Sequence, residues 1–268
     1  MKQYTVCGYD MTVLHDRMLT VATEVDRLCR EHGWKCSLYG GSVIGAVRHK
    51  GFIPWDHDID MAMPRRDYDA FLRYLQEHPS DLIFASHYGS EKRYPNNWAK
   101  IRLQGTVFLE KELAPLPELH AGVFIDLHPI DNILPGTLRA QVRLSQWFMC
   151  VGKVKSGIYE GSASKRRIYR LFSWLPYGAI NALRGFPMKV WKHLPTKYVY
   201  KVAHPNGGVY PIPRDTFEDL IEVPFEDRTF FIPRRYDEFL RARYGDYMTF
   251  PPEAEQTACC TSIVRCEL

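Results

Sequence analysis

Asp58 and Asp60 flank a single apolar residue, Ile59. On an extended chain, residues two apart point the same way, so this spacing sets two carboxylates on one face while Ile59 packs on the other. Two anions that close repel each other unless a positive charge lies between them. A hard divalent cation, Mg²⁺ or Mn²⁺, meets that need, because it prefers oxygen ligands and keeps positions open for substrate phosphates. Asp56 shares the even spacing if the strand begins before His57. An isolated pair of this kind equally suits the solvated face of an edge strand, so its meaning depends on its neighbours.

Those neighbours favour phosphate chemistry. Gly40, Gly41 and Ser42 stand where a strand feeds a helix. Glycine there lets a phosphate approach the backbone, and a helix N-terminus supplies oriented N–H donors. Ser42 can cap that helix and donate to a phosphate. Asp126 lies in the apolar run GVFIDL at 122–127. A buried acid there needs a partner, either a structural salt bridge or, preferred here, a place in the metal site or as general base. Arg48, Lys100 and Arg102 are candidate phosphate clamps, with exposed surface charge as the competing reading. Trp55, Tyr94 and Trp98 are aromatic candidates for holding a quaternary ammonium, or else core and rim packing. His49, His57 and His128 lack a ligand spacing and read as supporting groups.

The elements that must position these residues follow from periodicity. Leu14, Met18, Val21, Val25 and Leu28 form one helix face, which Gly33 terminates. A short strand is expected through Cys36, Leu38 and Tyr39, then the glycine turn and a helix towards His49. A strand is expected over 58–63, ended by Pro64, which opens a helix with Tyr68, Phe71, Leu72 and Leu75 inward. Further strands are expected over 101–109 and 122–127. A last helix over 234–244 stops at Gly245, ahead of Pro251 and Pro252. The chain therefore reads as a catalytic core over 1–137, a basic, aromatic helical subdomain over 138–201, and a segment over 202–268 that packs back on the core.

With 268 residues, 46% of them hydrophobic, the chain can bury a substantial core. No leader pattern and no bilayer-length apolar run is present, which makes the cytoplasm the simplest expectation. The seven cysteines show no paired spacing and read mostly as free thiols, although Cys259, Cys260 and Cys266 cluster near the end. The formal charge of +4 is uneven: residues 139–201 hold 13 Lys or Arg and one acid, Glu160. That segment suggests an anionic partner: a membrane surface, a phosphorylated glycan or nucleic acid. Its aromatics would suit an interface with anionic headgroups, and an ordinary helical subdomain with solvated cations is the alternative.

The run YGGSVIGAVRHKGFIPWDHDID at 39–60 resembles the signature of the LicD family of phosphocholine transferases, which also includes fukutin and fukutin-related protein. The likeness continues at AKIR (99–102), GVFIDL (122–127) and YGDYM (244–248), followed by two prolines. It covers most of the chain and constrains the basic stretch least. The resemblance implies an α+β (α/β-type) fold, with a small mixed sheet and flanking helices like that of nucleotidyltransferases, plus the basic helical subdomain.

It further implies transfer of phosphocholine from CDP-choline, or of a polyol phosphate from its CDP donor, with release of CMP. The acceptor would be a hydroxyl of a cell-envelope glycan such as lipopolysaccharide, a teichoic acid or a lipid-linked saccharide. No nucleic acid is expected. Carried onto this sequence, Asp58, Asp60 and Asp126 bind Mg²⁺ or Mn²⁺, and Gly40, Gly41 and Ser42 cradle the pyrophosphate. Arg48, Lys100, Arg102 and Trp55 complete the substrate contacts, and the protein works in the cytoplasm, peripheral to the inner membrane face. Two other readings share these residues: a nucleotidyltransferase that attaches a nucleoside monophosphate to a small molecule, and an inert glycan-binding relative.

Overall fold

The computed structural model describes residues 4–6, 8–203, 211–256 and 262–268. Cys7, Cys259 and Cys260 lie outside the described residues. Cys29, Cys36, Cys150 and Cys266 are free thiols.

A short antiparallel pair, β1 (Thr5–Val6) and β2 (Tyr9–Asp10), leads into α1 (Met11–His32). The Asp10 side chain caps α1 by accepting from the Thr12 amide, and Gly33 ends it in the left-handed region. The expected stripe from Leu14 to Leu28 is buried. β3 (Ser37–Leu38) then passes through Gly40 into α2 (Gly41–Ile44), which continues as a π-helical turn over Gly45–His49. β4 (Asp60–Pro64) and α3 (Arg65–Glu77) follow. The strand expected from residue 58 begins at Asp60, because pairing with its neighbour starts there.

β5 (Ile83–Ser86), β6 (Ala99–Leu103), β7 (Val107–Glu110) and β8 (Phe124–Ile133) come next. The single strand expected over 101–109 is thus two, broken by a turn with Gly105 at positive φ. The helical unit holds α4 (Leu138–Lys155), α5 (Ala163–Arg170) and α6 (Tyr177–Lys189). The chain closes with β9 (Tyr198–Tyr200), β10 (Ile212–Pro213), the hairpin β11 (Leu220–Phe225) and β12 (Arg228–Pro233), α7 (Tyr236–Tyr244) and β13 (Ile263–Glu267).

β8 is the axis of a seven-stranded mixed sheet. β4 runs parallel to it on one side, with β3 antiparallel beyond β4. On the other side β6 pairs with the first half of β8 and β9 with the second half, both antiparallel. β5 extends β6, and β10 extends β9. Alternation sends Ile59, Met61, Ile101, Ile125 and Leu127 into the core, all essentially inaccessible. The opposite positions, Asp60, Lys100 and Asp126, share the other face. This is the mixed α+β arrangement the sequence led us to expect.

The helical unit has its own small core of Val151, Tyr169 and Ile180. Side chains fasten it to the sheet. Buried Arg184 donates to the carbonyls of Tyr94 (2.9 Å) and Pro95 (3.4 Å), and Asn181 to those of Tyr88 and Lys92. Asn132 of β8 donates to the carbonyls of Trp191, Lys192 and Leu194. Because β9 pairs with β8 over Tyr198–Tyr200, the chain has rejoined the sheet before residue 201.

Candidate active site

The sheet register lines up the charged groups. Asp60 of β4 lies directly beside Asp126 of β8, and Lys100 of β6 lies on the far side of Asp126. Adjacent residues in register are close enough for their side chains to meet. Lys100 Nζ is 3.1 Å from Asp126 Oδ1 and 3.2 Å from Glu110 Oε1, and it rests over the Phe124 ring. Trp98 Nε1 donates to the same Asp126 oxygen at 3.0 Å. The Asp60 carboxylate is 2.9 Å from Nε2 of buried His128, two residues beyond Asp126 on the same face of β8. Ligand atoms of Asp60, Asp126 and His128 all lie within 4.8 Å of one another.

The glycine turn closes on this row. Ser42 Oγ accepts from the Asp60 amide at 2.8 Å, which ties α2 to the head of β4. Gly40 has φ +58°, and a Cβ there would sit 3.2 Å from both Asp60 Oδ2 and the Tyr244 hydroxyl. Gly45 is tighter, since a Cβ would lie 2.5 Å from the Gly51 carbonyl. The loop between the turn and β4 is held from behind. Glu226 accepts from the Phe52 amide, and His15, stacked on Phe52, makes a 2.8 Å hydrogen bond to the Asp56 carbonyl. His15, Phe52 and Glu226 also line a cavity of about 580 Å³ that includes none of Asp58, Asp60 and Asp126.

Asp58 lies outside the triad of converging ligand atoms but feels it strongly. Burial, then the charges of Asp56, Asp60 and Asp126, push its carboxyl well above the usual range. Asp56, which shares a hydrogen bond with Asp58, is also raised, chiefly by burial. Four acids share this site, and burial drives two of them towards the neutral form, a cost that a bound cation would relieve. A cation held by oxygen donors fits this set, with His128 able to ligate or to orient Asp60. Burial, then Lys201, keeps His128 below its ordinary value, so its ring is neutral at pH 7.

Two cations that the sequence did not announce lie over Tyr39, next to the acids' strand. Lys201, just past β9, is buried and lies over the Tyr39 ring at 4.8 Å; Arg243 of α7 lies over the same ring at 5.7 Å. Burial lowers the Lys201 ammonium to about 8, against the upward pull of Asp60. Tyr39 itself packs against His128, at 5.8 Å between ring centroids. The only sequence signals were indirect: the likeness at 244–248 pointed to the end of α7, and Lys201 ends the basic stretch.

The remaining candidates are distributed unevenly. Arg102 is fully buried and donates to Ser86, the Gly122 carbonyl and Glu110, which fastens β6. Arg48 donates to the carbonyls of Tyr247 and Thr249 and lies over Phe250. Trp55 belongs to the same rim, in ring contact with Tyr4, His49 and Phe250. Tyr94 is buried. Trp98 alone of the three aromatics touches an acid of the site.

The family described as LicD/FKTN/FKRP, nucleotidyltransferase domain, matches residues 33–123, a span that carries the glycine turn, Asp58, Asp60, Trp98 and Lys100. The chain is also 30% identical over 241 residues to the lipopolysaccharide cholinephosphotransferase LicD of Haemophilus influenzae, covering 85% of this chain and 88% of that one. Similarity of that extent takes in β8 with Asp126 and His128 as well as the glycine turn, and this chain belongs to the LicD family.

Proposed function

We propose that this protein transfers phosphocholine, or a related alcohol or polyol phosphate, from a CDP-activated donor to a hydroxyl of a cell-envelope glycan, teichoic acid or lipid-linked saccharide. The observation that carries the reading is the meeting of Asp60 and Asp126 in register beside the Gly40–Ser42 turn, with Lys201 and Arg243 over the neighbouring Tyr39 ring. The relative from Haemophilus influenzae bears the name of a cholinephosphotransferase acting on lipopolysaccharide, which favours phosphocholine and a glycan.

Asp60 and Asp126, with Asp58, are the residues to hold Mg²⁺ or Mn²⁺, which when bound neutralises charge on the pyrophosphate. Gly40, Gly41 and Ser42 give the backbone its approach to that pyrophosphate, and Lys201 and Arg243 supply cations for its oxygens. The acceptor oxygen bonds to the phosphorus distal to the cytidine, the bond from that phosphorus to CMP breaks, and CMP leaves with the electron pair. Asp126 already takes two N–H donors on Oδ1, which suits holding more than proton uptake. Asp56, which is not among those metal ligands, is the better acceptor for the hydroxyl proton. Trp98, and Trp55 at the rim, offer faces for a quaternary ammonium.

Product analysis tests the reading. Incubation with CDP-choline, Mg²⁺ and a glycan acceptor is expected to release CMP and leave phosphocholine on the acceptor. Release of pyrophosphate from a nucleoside triphosphate, with nucleotide attached to the acceptor, would instead assign nucleotidyl transfer. Ligand-induced stabilisation across CDP-choline, CDP-ribitol and CDP-glycerol identifies the alcohol.

A further inference from the structure

The outer surface of the helical unit combines two properties that seldom occur together. Leu171 is 70% exposed, Trp174 76% and Phe186 63%. Ile168, Leu183, Val190 and Leu194 are exposed as well. Leu183, Phe186 and Val190 recur at steps of three and four, so they form an apolar stripe along α6 and its end. The inward side of α6 is accounted for: Ile180 packs in the unit's core, and Arg184 and Asn181 are bonded to the loop before β6. The stripe therefore faces away from the protein. α5 repeats the pattern, with Tyr169 turned in against Trp147 and Ile168 turned out. No helix among the described residues is long and apolar enough to cross a membrane.

The charge around these residues has one sign. Residues 161–201 contain no Asp or Glu. Lys165, Arg166, Arg167 and Arg170 are exposed on α5, whereas Lys189 at the end of α6 lies 3.7 Å from Asp69 of α3. A surface with protruding aromatic and aliphatic side chains set among unopposed cations is complementary to an anionic bilayer: the rings and chains enter the headgroup boundary and the cations meet lipid phosphates. A stripe buried against another protein would not need the row of cations that α5 carries beside it.

We infer that the α5–α6 surface docks this protein on an anionic lipid bilayer, through Leu171, Trp174 and Phe186 with the basic side chains of α5. The inference does not depend on which group the active site transfers, and its test is independent of turnover. The full chain is sedimented with vesicles of phosphatidylcholine alone and of phosphatidylcholine with phosphatidylglycerol. Binding is expected only to the anionic vesicles and is lost at high salt. Replacing Lys165, Arg166 and Arg167 by Gln is expected to weaken it on the order of a hundredfold at low salt. The double substitution Leu171→Ser, Trp174→Ser is expected to abolish binding while leaving the circular dichroism spectrum unchanged. Brominated anionic lipid should quench tryptophan fluorescence in the parent and much less in Trp174→Phe. Absence of binding to anionic vesicles, or equal binding by the variants, overturns the inference. So does a lipid-free dimer that the Leu171→Ser, Trp174→Ser pair dissolves, since the face would then belong to a second copy.

Discussion

Asp58 has a carboxyl raised well above the usual range, first by its burial and then by the charges of its neighbours. A group raised in this way binds a proton in the folded state at a pH where the unfolded chain has released it. In the metal-free protein that contribution to stability is present at acid pH and is lost as pH rises through the raised value. A divalent cation must displace this proton, so its affinity falls as pH drops, and binding releases a proton. Calorimetric titration of Mn²⁺ in buffers of different ionisation enthalpy measures both effects. Asp60→Asn removes a ligand and one of the charges that raise Asp58, and should cut Mn²⁺ affinity and turnover by roughly a hundredfold or more each. Undiminished Mn²⁺ affinity in that variant would remove Asp60 from the metal site. Asp58, Asp60 and the glycine turn were legible in the sequence because they lie within about twenty residues of each other, and Asp126 because it interrupts an apolar run. Lys201 and Arg243 were not, because β9 and α7 bring them in from far along the chain and no local pattern marks a lysine as buried.

Among the elements, α6 shows how an unusual interior group can fix an interface. Arg184 is buried with no carboxylate partner among the described residues; it donates to two carbonyls and lies over the Tyr88 ring at 4.2 Å. Burial lowers its guanidinium to about 10. Arg184→Ala should destabilise the protein by about 2–4 kcal/mol, through a cavity and two buried carbonyls that lose their donor. Urea denaturation reads the loss, and a change below the error of the midpoint would show that the helical unit is held otherwise. The variant should also loosen the loop that leads to Trp98. Sequence periodicity found α1, α3 and α7, whose apolar stripes face one core, but placed the start of β4 two residues early. Alternation of Asp56, Asp58 and Asp60 continues the period of a strand, yet the ladder begins only where β8 offers a partner at Asp126. Periodicity carries no knowledge of where a partner ends.

For the molecule as a whole, several histidines are kept neutral by burial, among them His15, His87 and His128. The clearest is His87, in the cavity between α3 and α6, lowered to about 4 by burial and by Lys189 and Arg184. Between that value and its ordinary 6.5 the unfolded chain binds the proton and the folded chain does not. Its contribution is therefore complete above pH 6.5, declines on acidification, and is fully lost below about 4, an effect of order 1–2 kcal/mol once solvent screening is allowed for. His87→Asn, which can still accept from the Gly89 amide as Nδ1 does, should narrow the difference in Tm between pH 7 and pH 5. An unchanged difference would place the acid sensitivity elsewhere.

The pairing of Ile133 with Tyr198 has a consequence for how such a protein can diversify. The chain leaves the sheet for the helical unit and returns to it at adjacent points, so the unit is a cassette between two neighbouring rungs of one ladder. Its length and surface can be rewritten without changing the register of Asp60 against Asp126. The surface inferred to dock on lipid can then vary independently of the paired strands that hold the acids together.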